Sequence, residues 1–122
     1  MDGAGLSGDL EIALSQTSGI RVLRLAGEFD LSGVAAFERE LARDPSERED
    51  TLVLDLRGLT FIDSSGLRAV VRADHRARAE GKRCILVRGS PRISRVFDLT
   101  GVTDRLELVD ELPDAAPRPN GS

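Results

Sequence analysis

Hydrophobic and polar residues alternate twice near the start of the chain, in Leu10-Glu11-Ile12-Ala13-Leu14 and in Ile20-Arg21-Val22-Leu23-Arg24-Leu25. A period of two turns one side of a segment toward a core and the other toward water, so both segments predict half-buried strands, and Ser18-Gly19 between them predicts the turn of a hairpin. From Ser32-Gly33-Val34 the pattern changes: Val34, Phe37, Leu41 and Ala42 recur at helical spacing until Asp44-Pro45, where proline disfavours helix in the residue before it. Leu52-Val53-Leu54-Asp55-Leu56 is nearly continuous apolar sequence, as expected of a strand covered on both faces and placed centrally in a sheet. A second helical stripe follows in Leu67, Val70, Val71 and Ala77, with Arg68, Arg72, Arg76 and Arg78 mostly off it and Gly81 as its stop.

The unit then repeats. Cys84-Ile85-Leu86-Val87 predicts a strand, Ser90 an N-cap with Pro91 in the first turn, and Ile93, Val96 and Phe97 one face of a short helix before Gly101. Leu106-Glu107-Leu108-Val109 predicts a last strand. The order ββαβαβαβ makes this an α/β chain, with a mixed sheet of four to five strands and helices packed against it, because βα units build parallel strands through right-handed crossovers. Residues 9–110 are expected to form one domain. Residues 1–8 predict a flexible N-terminus and residues 111–122 a disordered tail, since such Gly, Ser and Pro-rich sequence buries too little apolar surface to offset the entropy of ordering.

Composition narrows the function. With 122 residues, 40% hydrophobic and 31% charged, the chain suits a single module with an ordinary core. A net charge of -4 argues against nonspecific nucleic-acid binding, which needs a basic surface, and directs attention to protein partners. Phe29, Phe37, Phe61 and Phe97 are the only aromatic residues, too few for a base-stacking platform. Lys82 is the only lysine, and the arginine excess carries no chemistry of its own. No apolar run approaches the roughly 20 residues needed to span a bilayer, and Met1-Asp2-Gly3-Ala4-Gly5 begins neither a basic region nor a hydrophobic signal core. A cytoplasmic protein is expected, without membrane insertion. The lone Cys84 excludes an internal disulfide and sits where cysteine acts as a small hydrophobe.

The candidate chemistry lies at Asp63-Ser64-Ser65-Gly66, where the buried strand of residues 52–56 leads into the second helix. A hydroxyl there can cap the helix, act as a nucleophile or accept a phosphate. Nucleophilic catalysis needs a base within hydrogen-bond reach. The single histidine, His75, is 11 residues further along the same predicted helix, roughly 16 Å along its axis. The elbow G-x-S-x-G is also incomplete, with Ile62 in place of the leading glycine. No catalytic residue, cofactor or metal is therefore expected, since metal coordination would need a cluster of His or Cys ligands. Asp63, Ser64 and Ser65 are all favoured capping types, so any of the three suits the N-cap. A phosphate would also be tolerated, because a helix N-terminus offers free N–H groups and the positive dipole end. Gly66 is read either as room for a partner's backbone or as tight helix-to-sheet packing.

The string Asp55-Leu56-Arg57-Gly58-Leu59-Thr60-Phe61-Ile62-Asp63-Ser64-Ser65-Gly66-Leu67 resembles the signature of STAS domains, and specifically of bacterial anti-sigma factor antagonists. Gly27-Glu28-Phe29-Asp30, Val96-Phe97-Asp98-Leu99-Thr100-Gly101 and Asp104-Arg105-Leu106 agree in order and position. The resemblance covers residues 10–109. It implies a partner-switching module in which Ser64, with Ser65 as the alternative, is phosphorylated by an anti-sigma factor that is itself a serine kinase with a histidine-kinase-like ATPase fold. The unphosphorylated antagonist would bind that factor and free a sigma factor, and a PP2C-type serine phosphatase would restore this form. The partner-binding surface would then comprise Asp30, Asp63, Ser64, Ser65, Gly66 and Arg68, with Asp30 also suited to cap the first helix. The protein would be substrate and ligand, not enzyme.

Two departures stand out. Family members often end in an amphipathic helix, whereas Asp110-Glu111-Leu112 meets Pro113 here, so that helix is expected to be missing or displaced. The surface it would leave is a candidate docking site or a contact for a homodimer. Arg57, charged and beyond the apolar run, is read as a solvated loop residue. The alternative functional reading is a constitutive STAS interaction subunit, in a lipid-transport complex or stress-signalling scaffold, in which Ser64 is only a helix cap. A hydrolase using Ser64 and a small-ligand sensor are weaker still.

Overall fold

The computed structural model describes residues 9–43 and 49–113. Five strands form one sheet in the spatial order of the sequence: β1 (Leu10–Thr17), β2 (Ile20–Phe29), β3 (Thr51–Ile62), β4 (Arg83–Val87) and β5 (Glu107–Val109). β1 and β2 pair antiparallel, and every later neighbour is parallel, so the sheet is mixed and β3 is central. The hairpin turn at Ser18-Gly19 takes positive φ at both residues, 48° and 81°. That is the backbone sense a two-residue hairpin loop needs to match strand twist.

Helices α1 (Leu31–Ala42), α2 (Ser64–Ala79) and α3 (Pro91–Leu99) fill the crossovers. Phe37 from α1, Leu67, Ala69, Val70, Ala73 and Ala77 from α2, and Ile93 and Phe97 from α3 join one buried cluster with Leu23, Leu25, Leu52, Leu54, Cys84 and Leu86 of the sheet. All three helices thus cover one face, as consecutive right-handed crossovers require. The opposite face carries a second cluster of Ile20, Val22, Val53, Ile85 and Val87, against which Val109 and Leu112 pack. The expectations for residues 1–8, for the Asp44-Pro45 stop, for residues 114–122 of the predicted tail and for a terminal helix beyond Pro113 lie outside the described residues, whereas residues 111–113, assigned to that tail, are described and Leu112 packs against the sheet instead of hanging free.

β3 is longer than its apolar run suggests. Leu56, Leu59 and Ile62 are all buried, a spacing of three that no regular strand provides. Two register shifts against β2 explain it: Arg24 pairs Asp55 but Ala26 pairs Gly58, and Gly27 pairs Leu59 but Glu28 pairs Phe61. Each shift adds one residue to β3, so the strand bends and resets its inward face. Arg57 is consequently a strand residue and not a loop residue. Its guanidinium grips the Asp55 carboxylate at two points, Nε to Oδ1 and Nη2 to Oδ2, both 2.9 Å. Burial alone would push the Asp55 carboxyl up, but hydrogen bonds from the Arg57 side chain and backbone, with the charges of Arg57 and Arg24, hold it below the ordinary carboxylate value.

At the other end of the sheet, Arg21 is buried and ion-paired with Glu49 at 3.1 Å. Its Nη1 and Nη2 also donate to the Leu41 and Arg43 carbonyls at 3.3 and 2.8 Å, satisfying the last turn of α1. A hollow of about 290 Å³ beside it, lined by Leu41, Glu49, Arg76 and Lys82 among others, is part of this structural network. Cys84 is fully buried, and burial first, then the Asp74 charge, pushes its thiol up to about 12. It stays protonated and unreactive at neutral pH.

Candidate functional site

β2 runs straight into α1, β3 into α2, and β4 through a short loop into α3, so three helix N-termini gather beyond the carboxyl ends of the parallel strands. In open α/β sheets this is the end where binding sites form. Two of the junctions are tied together: the Asp63 amide donates to the Phe29 carbonyl at 3.2 Å.

At the second junction Asp63 is the N-cap of α2. Its backbone is extended and its Oδ1 accepts from the Gly66 amide at 3.0 Å. Of the three capping types in the sequence, the structure therefore gives the role to aspartate. Ser64 is the first residue of the helix, exposed, and among the described residues its hydroxyl makes no hydrogen bond. The reading of Ser64 as only a helix cap is corrected by this geometry, because the acceptor that the helix end requires is already supplied by the preceding side chain.

The other residues singled out by the sequence fall around it unequally. Ser65 and Asp63 are half-buried, and Arg68 is exposed one turn along α2 from Ser64. Residues four apart on a helix share a face, so Arg68 borders the serine directly. Asp30 caps α1, accepting from the Ser32 amide at 3.0 Å and the Ser32 hydroxyl at 2.6 Å, and remains half-buried at the same end. Gly66 is different. It is buried, and a Cβ there would collide with the Phe29 carbonyl oxygen, so packing accounts for the glycine and it has no face to present to a partner. His75 is exposed far along α2, and among the described residues no side chain is hydrogen-bonded to the Ser64 hydroxyl and no cluster could hold a metal ion.

Two residues at this end were not marked by the sequence reading. Leu31, the first residue of α1, is 71% exposed, and Phe61, near the end of β3, is 46% exposed. A usable signal was present: Asp30-Leu31-Ser32-Gly33 and Asp63-Ser64-Ser65-Gly66 share the form D-x-S-G at successive strand-to-helix junctions, which aligns Leu31 with Ser64.

Comparison with known proteins places this geometry. A family model described as the STAS domain matches residues 11–115. The anti-sigma-F factor antagonist RsfB of Mycobacterium tuberculosis is 27% identical over 106 residues, covering 87% of this chain and 86% of its own length. The crystal structure of an anti-sigma factor antagonist from Mycobacterium paratuberculosis superposes with a TM-score of 0.77 over 92% of this chain and 94% of its own, at 22% identity, a likeness of fold. SpoIIAA, a Bacillus cell fate determinant, is 25% identical over 83% of this chain in both its forms. The unphosphorylated structure gives a TM-score of 0.66 with 90% of its chain covered, and the phosphorylated one 0.62 with 93%.

Proposed function

The chain belongs to the STAS domain family, and from that membership we propose that it is an anti-sigma factor antagonist whose contact with its partner is switched by phosphate on Ser64. The observation that carries this reading is the division of labour at the α2 N-terminus. Asp63 meets the need of the helix, and the neighbouring hydroxyl is left exposed and unengaged. Relatives named as anti-sigma factor antagonists support it. The partner is an anti-sigma factor with serine kinase activity, and a PP2C-type phosphatase removes the phosphate. The chain itself catalyses nothing and acts in the cytoplasm. Among its described residues no helix is long and apolar enough to cross a membrane.

The physics of the switch is electrostatic. Phosphate on an exposed first-turn serine adds about -1.5 to -2 charges without displacing any packed group, and the helix dipole favours it there. The domain stays folded. At a desolvated protein interface the same dianion costs several kcal/mol when the facing surface offers no matching cation. At about 1.4 kcal/mol per tenfold, that is ample for a hundredfold loss of affinity. Asp30, Asp63 and Ser65 would lie in the contact, with Arg68 as its basic edge.

The experiment is a binding comparison of Ser64→Ala, Ser64→Glu and Ser64→Asp against the purified anti-sigma factor. The alanine chain is expected to bind constitutively and the acidic ones weakly, with stoichiometry reporting any homodimer. Equal affinities for all three would remove Ser64 from the interface and favour a constitutive adaptor.

A further inference from the structure

We infer that the outer edge of β1 is an interface between two copies of this chain, joined by antiparallel pairing of β1 with its own image about a two-fold axis at Ala13. The two edges of the sheet differ in how they are guarded. β5 is three residues long, and the charged side chains at it, Glu107 and Asp110, are ion-paired with Arg83 and Arg88. A short, charged edge resists pairing with another chain. β1 is eight residues long and pairs with β2 in unbroken register, so it carries no bulge. It contains no proline and one charged residue, Glu11, and among the described residues no further strand lies outside it. The usual devices against edge-to-edge pairing are missing from this side of the sheet.

The hairpin determines which backbone groups face outward. Its two-residue loop makes Thr17 and Ile20 a hydrogen-bonded pair, and such pairs alternate along an antiparallel ladder. Ser15, Ala13 and Glu11 therefore bond to β2, while Ile12 and Leu14 turn their N–H and C=O groups to the open edge. The Glu28 amide, which donates to the Asp9 carbonyl, obeys the same alternation.

Self-complementarity specifies the occupant and the register. With the axis at Ala13, Ile12 of each copy lies opposite Leu14 of the other, so their outward backbone groups match. Both side chains point to the helix-bearing face, where Ile12 packs at the margin of the core and Leu14 is 37% exposed, so each gains an apolar neighbour. On the other face Glu11 meets Ser15 and Ala13 meets Ala13, with no like charges opposed. An axis at Glu11 would oppose two carboxylates, an axis at Ile12 or Ser15 would shorten the overlap, and one at Leu14 would set Ile12 against Gln16. A two-fold axis normal to the sheet keeps both helical layers on one face and sends the two Ser64 junctions to opposite ends of one continuous sheet. Each copy thus keeps its own contact site open, and the dimer stands or falls independently of the role of Ser64.

The test follows the mass of the full, unphosphorylated chain by light scattering and sedimentation across a dilution series, with a dimer expected at the concentrated end. Ala13→Cys should form a covalent dimer in oxidising buffer, because at a non-hydrogen-bonded antiparallel pair the Cα atoms are about 4.5 Å apart, within reach of a disulfide. Ser15→Cys is the control: its two thiols would sit roughly 14 Å apart along the ladder and stay largely reduced. The native Cys84 is fully buried and does not interfere. Leu14→Lys should raise the dimer dissociation constant about tenfold or more, with Leu99→Lys, exposed at the end of α3, within about twofold of the parent. Thermal melts verify folding, and the cysteine pair decides alone if Leu14→Lys shifts the midpoint. A chain that stays monomeric throughout, equal crosslinking of the two cysteine variants, or a folded Leu14→Lys chain that dimerises like the parent overturns the interface.

Discussion

The α1 and α2 junctions share the form D-x-S-G and within it differ at one position. Each follows a strand that ends in a buried apolar residue, Phe29 or Ile62, and each continues as a capping aspartate, a first helical residue, a serine and a buried glycine. Both glycines are demanded by close packing: a Cβ at Gly33 would press the Leu10 side chain, and one at Gly66 would strike the Phe29 carbonyl. The position between cap and serine is Leu31 in one and Ser64 in the other. Since both junctions fold, that position is set free by the cap and the glycine, and what occupies it can be chosen for contact with another molecule. The serine of the second junction is thus separable from the stability of the helix it begins.

Substitutions sharpen the contrast in order of size. Gly66→Ala is expected to cost about 3 kcal/mol in urea unfolding, because the obstruction is a backbone carbonyl that can move only with the strand. Gly33→Ala should cost less, since the obstruction there is a side chain that can turn aside. Equal costs would mean that the junctions do not differ in rigidity. Asp63→Ala and Asp30→Ala should each lose about 1 kcal/mol, the usual worth of an N-cap, and Ser64→Ala less than about 0.5 kcal/mol. A Ser64→Ala penalty matching that of Asp63→Ala would show that the hydroxyl supports the helix after all.

Much of the molecule was legible because its signals are local. The Ser18-Gly19 turn, the Ser90-Pro91 helix start and the period-two and helical stripes each involve residues a few positions apart, and the order of elements followed from them. The second half of β3 was not legible. Leu56, Leu59 and Ile62 face the core only because two extra residues are absorbed against β2, a property of the pair and not of either strand. Arg57 was misread for the same reason. Which of Asp63, Ser64 and Ser65 would cap was equally hidden, because all three suit the position and the choice depends on where the strand stops. The buried pair of Arg21 and Glu49 joins segments far apart in sequence, beyond the reach of any periodicity.

Acid distinguishes the junctions from the sheet with the smallest effect. The Asp55 carboxyl is held below its ordinary value of 3.8, so the stability it contributes is complete above the unfolded value and is lost as pH falls through the folded one. Unfolding measured from about pH 5 down to pH 3 should show a shallower loss in Asp55→Asn than in the parent, and no change of slope in Ser64→Ala. A parallel loss in Asp55→Asn would place the acid sensitivity elsewhere.

The central claim is that the Ser64 hydroxyl serves a partner and not the helix. Its most direct test is a paired measurement on Ser64→Ala and Ser64→Glu, with thermal melting and affinity for the purified anti-sigma factor read on the same samples. The account expects both chains to melt within a few degrees of the parent while their affinities differ by about a hundredfold in favour of alanine. Affinities that agree, or a difference that tracks a loss of folding, would contradict it.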